Sequence, residues 1–143
     1  MTKKWLICIP FVLILFLIGC SGDKSTSVII VEKPTGEGEN EEYEISKEGK
    51  AQKQVDLAMD VLEQTKWQEN VKVMMIGEPE YQFYLLHTEK DGQETQSVVY
   101  YVWITPKEDQ LEVIQRSENK YAKMSIENSD ILHGILTGEI LGE

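Results

Sequence analysis

Four apolar stretches in the second half of the chain, joined by short polar connections, most constrain the fold. They cover residues 71–76, 81–88, 97–105 and 111–116. The connections hold turn-forming residues such as Gly77, Pro79 and Gly92. Because each connection is too short for a crossover helix, neighbouring strands must run antiparallel. The sequence therefore predicts a four-stranded antiparallel meander.

Segments whose apolar residues recur at helical intervals precede and follow this meander. Over residues 46–68, apolar residues recur every three or four positions, which predicts a helix with one buried face. A short fifth strand is expected over residues 121–124. Ser125 or Ser129 can then cap a final helix that ends at Gly138. The predicted fold class is α+β, with an N-terminal helix, the meander and a C-terminal helix. In element order this resembles the cystatin-like folds.

The start of the chain has the layout of an export signal. Lys3 and Lys4 precede an apolar stretch over residues 5–18, which is shorter than the roughly 20 residues that a membrane-spanning helix needs. The residues at the end of this stretch, Leu17-Ile18-Gly19-Cys20, resemble the lipobox of small bacterial lipoproteins of Gram-positive type. The resemblance implies removal of residues 1–19, a palmitate-type lipid anchor on Cys20, and a position on the cell membrane facing outside the cytoplasm.

The cysteine count constrains the remainder of the chain. Cys8 would leave with the signal peptide, and the sulfur of Cys20 would carry lipid. No thiol remains for a disulfide, so the domain has to be stabilised by a packed core.

Residues 20–45 are rich in Ser, Thr, Gly and Glu, and they are interpreted as an acidic flexible tether. Within it, the β-prone residues 28–31 are compatible either with disorder or with an edge strand. The glutamates of the tether lack the spacing of a calcium loop. The globular domain is accordingly expected over residues 46–143.

The search for catalytic chemistry finds no site. The chain has two histidines, His87 and His133, and neither lies in a metal-binding spacing or in a recognisable nucleophile motif. The formal charge of −11 disfavours nucleic acid as a partner. We therefore expect no cofactor, no metal site, no catalytic residue and no enzymatic activity.

Aromatic residues of the meander are the remaining candidates for recognition. If the helices cover only one sheet face, Tyr84, Tyr100 or Tyr101 could be exposed and contact an envelope protein or peptide. The leading interpretation is a non-enzymatic, membrane-anchored module that binds a protein or peptide. The alternatives are a small-ligand carrier or sensor with a pocket lined by Tyr and Trp, and an envelope hydrolase that uses paired carboxylates.

Overall fold

Strand pairing among the described residues produces one antiparallel sheet, which carries two helices on one face. The computed structural model describes residues 25–36, 42–49 and 51–143. The helices are α1 (Gln52–Gln64) and α2 (Ile126–Thr137). The strands are β1 (Thr26–Pro34), β2 (Tyr43–Gly49), β3 (Gln68–Glu69), β4 (Tyr81–Thr88), β5 (Glu94–Gln96), β6 (Tyr100–Ile104), β7 (Leu111–Gln115) and β8 (Lys120–Lys123). Their spatial order is β2-β1-β4-β6-β7-β8-β3, and β5 pairs with β4.

The hydrophobic core lies between this sheet and the two helices. Val31 of β1 pairs with Phe83 of β4, and Phe83 pairs with Tyr100 of β6, so these side chains share one face. That face, called the helix face below, packs against apolar residues of α1 and α2. The fully or almost fully buried helical residues of this core are Val55, Ala58, Val61, Leu132 and Leu136.

Side-chain hydrogen bonds fix the position of α2. Ser125 caps its first turn, since the Ser125 hydroxyl accepts a hydrogen bond from the Asn128 backbone N–H at 3.2 Å. Gly138 ends the helix in a left-handed conformation with φ of 81°. The buried Ser129 hydroxyl accepts a hydrogen bond from the Leu111 N–H at 2.9 Å and so ties the helix to β7.

The predicted fold class is wrong in its strand count and in its order. The described sheet has eight strands instead of a four-stranded meander, and two of them precede the first helix. Helix α1 is also shorter than predicted, because Ser46 belongs to β2.

The N-terminal segment departs most from expectation. The sequence predicts a flexible tether over residues 20–45, whereas β1 lies inside the sheet between β2 and β4. Of the two alternatives for residues 28–31, disorder or an edge strand, a strand is observed, but it is an interior strand and not an edge strand. Its physical cause is burial, because Ile29, Ile30 and Val31 are all buried. Cys20 and the predicted signal peptide lie outside the described residues.

Residues 71–76, predicted as the first strand of the meander, do not join the sheet. The chain between β3 and β4 has no strand pairing there. Both positions beside β4 are already taken, one by β1 and the other by β5 and β6. The segment is left without a partner strand, and its position creates the site described next.

Candidate functional site

The sheet face opposite the helices, called the open face below, carries a row of polar and aromatic side chains. Cross-strand pairing aligns one residue from each of five neighbouring strands along this row. The residues are Glu32, Gln82, Tyr101, Ile114 and Tyr121. Because side chains alternate along a strand, Tyr84 and Trp103 point to the same face. None of these positions is covered by a helix.

The segment between β3 and β4 crosses part of this face, and residues 71–77 are called the crossing segment below. Its first end is held by the hydrogen bond from the Asn70 N–H to the Asn119 carbonyl oxygen at 3.1 Å. Its other end is held by the Trp103 indole N–H, which donates to the Gly77 carbonyl oxygen at 3.2 Å. Between these two points, residues 71–76 make no backbone hydrogen bond to another described residue. The crossing segment is therefore held by hydrogen bonds at its ends, and in its middle only by side-chain packing.

A groove of about 440 Å³ lies between the crossing segment and the open face. Val71, Val73 and Met75 of the crossing segment line it and are partly buried. Met74 also borders the groove and is 93% exposed, and Ile76 is 97% exposed. On the sheet side, the lining residues are Trp103, Ile114 and Tyr121. The groove thus has apolar side chains on two sides, although most of its accessible lining is polar, and it is within the size range of small-molecule sites.

Two basic residues stand at one end of this groove. The chain reverses between β7 and β8 through a short 3-10 turn, Arg116–Glu118, and through Asn119 in a left-handed conformation with φ of 52°. The reversal brings Arg116 and Lys120 to the same end of the groove, and both line it. The Arg116 guanidinium stacks over the Tyr101 ring at 4.4 Å, a cation–π contact that holds the side chain over the open face. Lys120 also pairs with Glu118 at 2.6 Å.

Tyr121 stays neutral at the side of the groove. Its hydroxyl donates a hydrogen bond to a Glu112 carboxylate oxygen at 2.5 Å. Burial, that hydrogen bond and the carboxylate charge together raise the pKa of Tyr121 to about 12. A neutral phenol presents an apolar ring to the groove and adds no negative charge to it.

The three tyrosines predicted as partner contacts separate onto two faces. Tyr84 and Tyr101 lie on the open face, as diagonal neighbours on β4 and β6. The Tyr84 hydroxyl donates to a Glu32 carboxylate oxygen at 3.4 Å, and Gln82 donates to the other oxygen of the same carboxylate. Tyr100 lies on the helix face, where its ring stacks on Phe83 at 4.8 Å, and so it is a packing residue there.

The structure brings together three residues that the sequence search did not connect. The Ser27 hydroxyl lies 2.9 Å from Nδ1 of His87, and Nε2 of His87 lies 3.2 Å from a Glu89 carboxylate oxygen. The pairing of β1 with β4 places Ser27 opposite His87, although 60 positions separate them in sequence. The His87 and Glu89 side chains are 39% and 52% exposed. Only the strand pairing could have revealed this contact.

Two further features of the described part of the chain bear on function. Within residues 25–36, 42–49 and 51–143, no three His, Cys, Asp or Glu side chains are arranged to hold a metal ion. No helix in the same ranges has the length and hydropathy to cross a membrane.

Comparison with known proteins finds one structural match and no match by sequence. No protein-family model matches the chain, and no curated protein matches it. The fold is similar to the crystal structure of a thioesterase-like protein from Clostridium sporogenes, with a TM-score of 0.51 and 16% identity. The match covers 81% of this chain and 98% of that one.

This match corrects two predictions. The resemblance to cystatin-like folds, given together with the lipobox, is wrong, because the matched fold is thioesterase-like. The prediction that the protein is not an enzyme is wrong as well, because the fold is shared with a protein described as thioesterase-like. At 16% identity, the similarity concerns the fold and assigns no reaction.

Proposed function

We propose that the protein binds a small anionic amphiphile, an organic acid with an apolar tail, in the groove under the crossing segment. One observation carries this proposal. The described residues that line the groove include Arg116 and Lys120 but no Asp or Glu. The whole chain has 25 acidic against 14 basic residues, so a groove lined by two basic residues and no acidic residue is the opposite of what its composition favours. The carboxylates nearest to it are already engaged, Glu118 with Lys120 and Glu112 with the Tyr121 hydroxyl.

Each part of the ligand has a matching surface. The tail would lie between Met75 on the crossing segment and Trp103 on the sheet, and burying it there removes apolar area from water. The acid group would face Arg116 and Lys120, whose N–H groups form charge-assisted hydrogen bonds with carboxylate or phosphate oxygens. The crossing segment, held by hydrogen bonds only at its ends, can adjust to tails of different thickness.

Octanoate is a suitable probe, and 1-octanol is its neutral counterpart of equal chain length. We expect saturable one-to-one binding of octanoate to the full chain, and weaker binding of 1-octanol. Arg116→Gln should weaken octanoate binding by about 10-fold or more, the range for losing a hydrogen bond to a charged group. Isothermal titration calorimetry below the micelle-forming concentration measures both effects.

Lys107→Gln supplies the matched control, because it removes the same charge from an exposed residue that does not line the groove. Its octanoate affinity should remain within about twofold of the unmodified chain, as is usual for surface substitutions. Equal weakening by Lys107→Gln and Arg116→Gln would point to diffuse charge attraction and count against the groove. Equal affinity for 1-octanol would also count against it.

Ester hydrolysis is a second candidate, favoured by the contacts of Ser27, His87 and Glu89. A carboxylate oxygen only accepts, so the 3.2 Å contact places the imidazole hydrogen on Nε2 and leaves Nδ1 to accept the Ser27 proton. Ser27 Oγ would attack an acyl carbonyl, its proton would pass to Nδ1, and the leaving alcohol or thiol would take that proton, which leaves the acyl group bonded to Ser27 Oγ. Water would then attack this ester with its proton passing to Nδ1, the bond to Ser27 Oγ would break, and Ser27 would regain a proton as the carboxylic acid is released. The fold shared with a thioesterase-like protein agrees with this candidate.

Ser27→Ala should lower the rate of p-nitrophenyl butyrate hydrolysis by at least about 100-fold. Removing one residue of a catalytic triad usually lowers the rate by more than this. Thr26→Ala, a change at the neighbouring exposed residue of β1, should leave the rate unchanged. Absorbance of released p-nitrophenolate measures both rates. The candidate is rejected if the two variants hydrolyse the ester equally fast.

The predicted position at the outer face of a membrane and the predicted envelope protein or peptide partner stay predictions. Both proposals above concern the described residues, and neither depends on Cys20. Should the anchor exist, it would hold the groove at a membrane surface, where amphiphiles are concentrated.

A further inference from the structure

A second cavity, of about 400 Å³, lies on another part of the molecule and is called the acidic cleft below. It opens where the start of β4, the loop between β6 and β7, helix α2 and the last residues of the chain meet. Gly142 lines the cleft and has a φ of 84°. A Cβ atom at this position would lie 2.9 Å from the Glu108 carbonyl oxygen. The backbone is therefore packed closely around the cleft, and Gly142 is needed for that approach.

A histidine with one uncommitted nitrogen lines this cleft. His133 is only 5% exposed, and its Nδ1 lies 3.1 Å from the Glu139 carbonyl oxygen. The Thr137 hydroxyl is 3.4 Å from Nδ1, but it already donates its own hydrogen to the His133 carbonyl oxygen at 2.8 Å. Both neighbours of Nδ1 are therefore acceptors, which places the hydrogen of the neutral ring on Nδ1.

This assignment leaves the lone pair of Nε2 as a hydrogen-bond acceptor. Nε2 has no hydrogen-bond partner among the described residues, and His133 is one of the residues that line the cleft. Nε2 can therefore accept a hydrogen bond from a donor that enters the cleft.

The charge around the cleft has one sign. Glu80, Glu108 and Glu139 line it, together with Glu143, and no described Lys or Arg does. Tyr81 forms part of the wall. The pKa of its hydroxyl is raised, mainly by burial and further by the negative charges of Glu139 and Glu80. Lys33 lies over the Tyr81 ring at 5.1 Å and belongs to a neighbouring depression.

We infer that the acidic cleft binds a small organic ammonium ion, with one N–H donated to Nε2 of His133 and the charge facing Glu108 and Glu139. The remaining walls, formed by Tyr81, Ile104 and Leu141, suit an apolar substituent on the amine. The Tyr81 ring also lies edge-on to the His133 ring at 6.2 Å, which holds the imidazole plane in place. This site shares no lining residue with the groove under the crossing segment, and its charged lining residues are acidic where those of the groove are basic.

Phenethylamine is the probe, because it joins a primary ammonium to one aromatic ring, and 2-phenylethanol is its neutral counterpart. We expect saturable binding of phenethylamine to the full chain and a much weaker response to 2-phenylethanol. The chain has two histidines, so nitrogen-15 spectra of the imidazoles separate them readily. The His133 Nε2 signal should shift on binding, while the His87 signals should not.

His133→Asn keeps a side-chain N–H that can reach the Glu139 carbonyl oxygen and removes the Nε2 acceptor. It should weaken phenethylamine binding about 10-fold. Glu108→Gln removes one charge from an exposed loop residue, which guards against misfolding, and should weaken binding about 3- to 10-fold. Glu94→Gln, the same change on the exposed strand β5, should have no effect.

Three results would overturn the inference. The first is a His133 Nε2 signal that does not move at saturating phenethylamine. The second is equal binding of 2-phenylethanol. The third is equal weakening by Glu108→Gln and Glu94→Gln, which would show attraction to the net negative charge instead of to the cleft.

Discussion

Phe83→Ala is expected to lower the free energy of unfolding by about 3 to 5 kcal/mol, the usual range for removing a buried aromatic side chain. Phe83 is fully buried on β4, pairs with Val31 on one side and with Tyr100 on the other, and stacks on the Tyr100 ring at an interplanar angle of 12°. The substitution therefore removes apolar burial and a stacking contact together. Because small domains are stable by about 5 to 15 kcal/mol in total, the variant should be close to unfolding.

Urea denaturation followed by circular dichroism measures this change. Ile45→Ala is the matched control, since it also shortens an apolar side chain in a strand, but Ile45 is 64% exposed. The control should change the free energy of unfolding by no more than about 0.5 kcal/mol. A Phe83→Ala effect as small as that of the control would show that β4 is not the centre of the core.

Val31→Asp is expected to be at least as damaging, at about 3 to 5 kcal/mol, because it places a carboxylate without a partner in the core. Val31 is 1% exposed and lies between Lys47 of β2 and Phe83 of β4 in the strand register. Thr26→Asp introduces the same group at the exposed first residue of the same strand and should be nearly neutral. Thermal unfolding monitored at neutral pH separates the two variants.

This comparison decides whether the N-terminal segment is part of the domain. If residues 26–34 were a flexible tether, neither aspartate would enter the core and the two variants would unfold alike. A large difference between them is expected only if β1 is an interior strand. Equal unfolding temperatures would therefore contradict the sheet order described above.

Those parts of the fold that depend only on neighbouring residues can be predicted from the sequence, and those that depend on distant residues cannot. The alternation in β4 and β7 is visible in a short window, since every second residue faces the core. The interior position of β1 cannot be read from residues 28–31, because it depends on a partner that is not local. The apolar residues of β1 lie between polar segments typical of a linker, and their burial depends on β4, which lies far along the chain.

The candidate site shows the same division. The positions of Tyr101 and Trp103 on one face follow from strand alternation. The groove itself could not be predicted, because residues 71–76 have a strand pattern and only the occupied neighbours of β4 keep them out of the sheet. The contact between Ser27 and His87 and the fixed hydrogen on His133 likewise depend on distances that no sequence pattern contains.

The central proposal, that the groove under the crossing segment binds an anionic amphiphile, is tested most directly by locating the bound tail. Carbon-13-labelled octanoate added to the full chain should give intermolecular nuclear Overhauser effects from its methylene protons to the Trp103 indole and the Met75 methyl group. Effects confined to apolar residues outside the groove, such as Met59 on α1, would contradict the proposal.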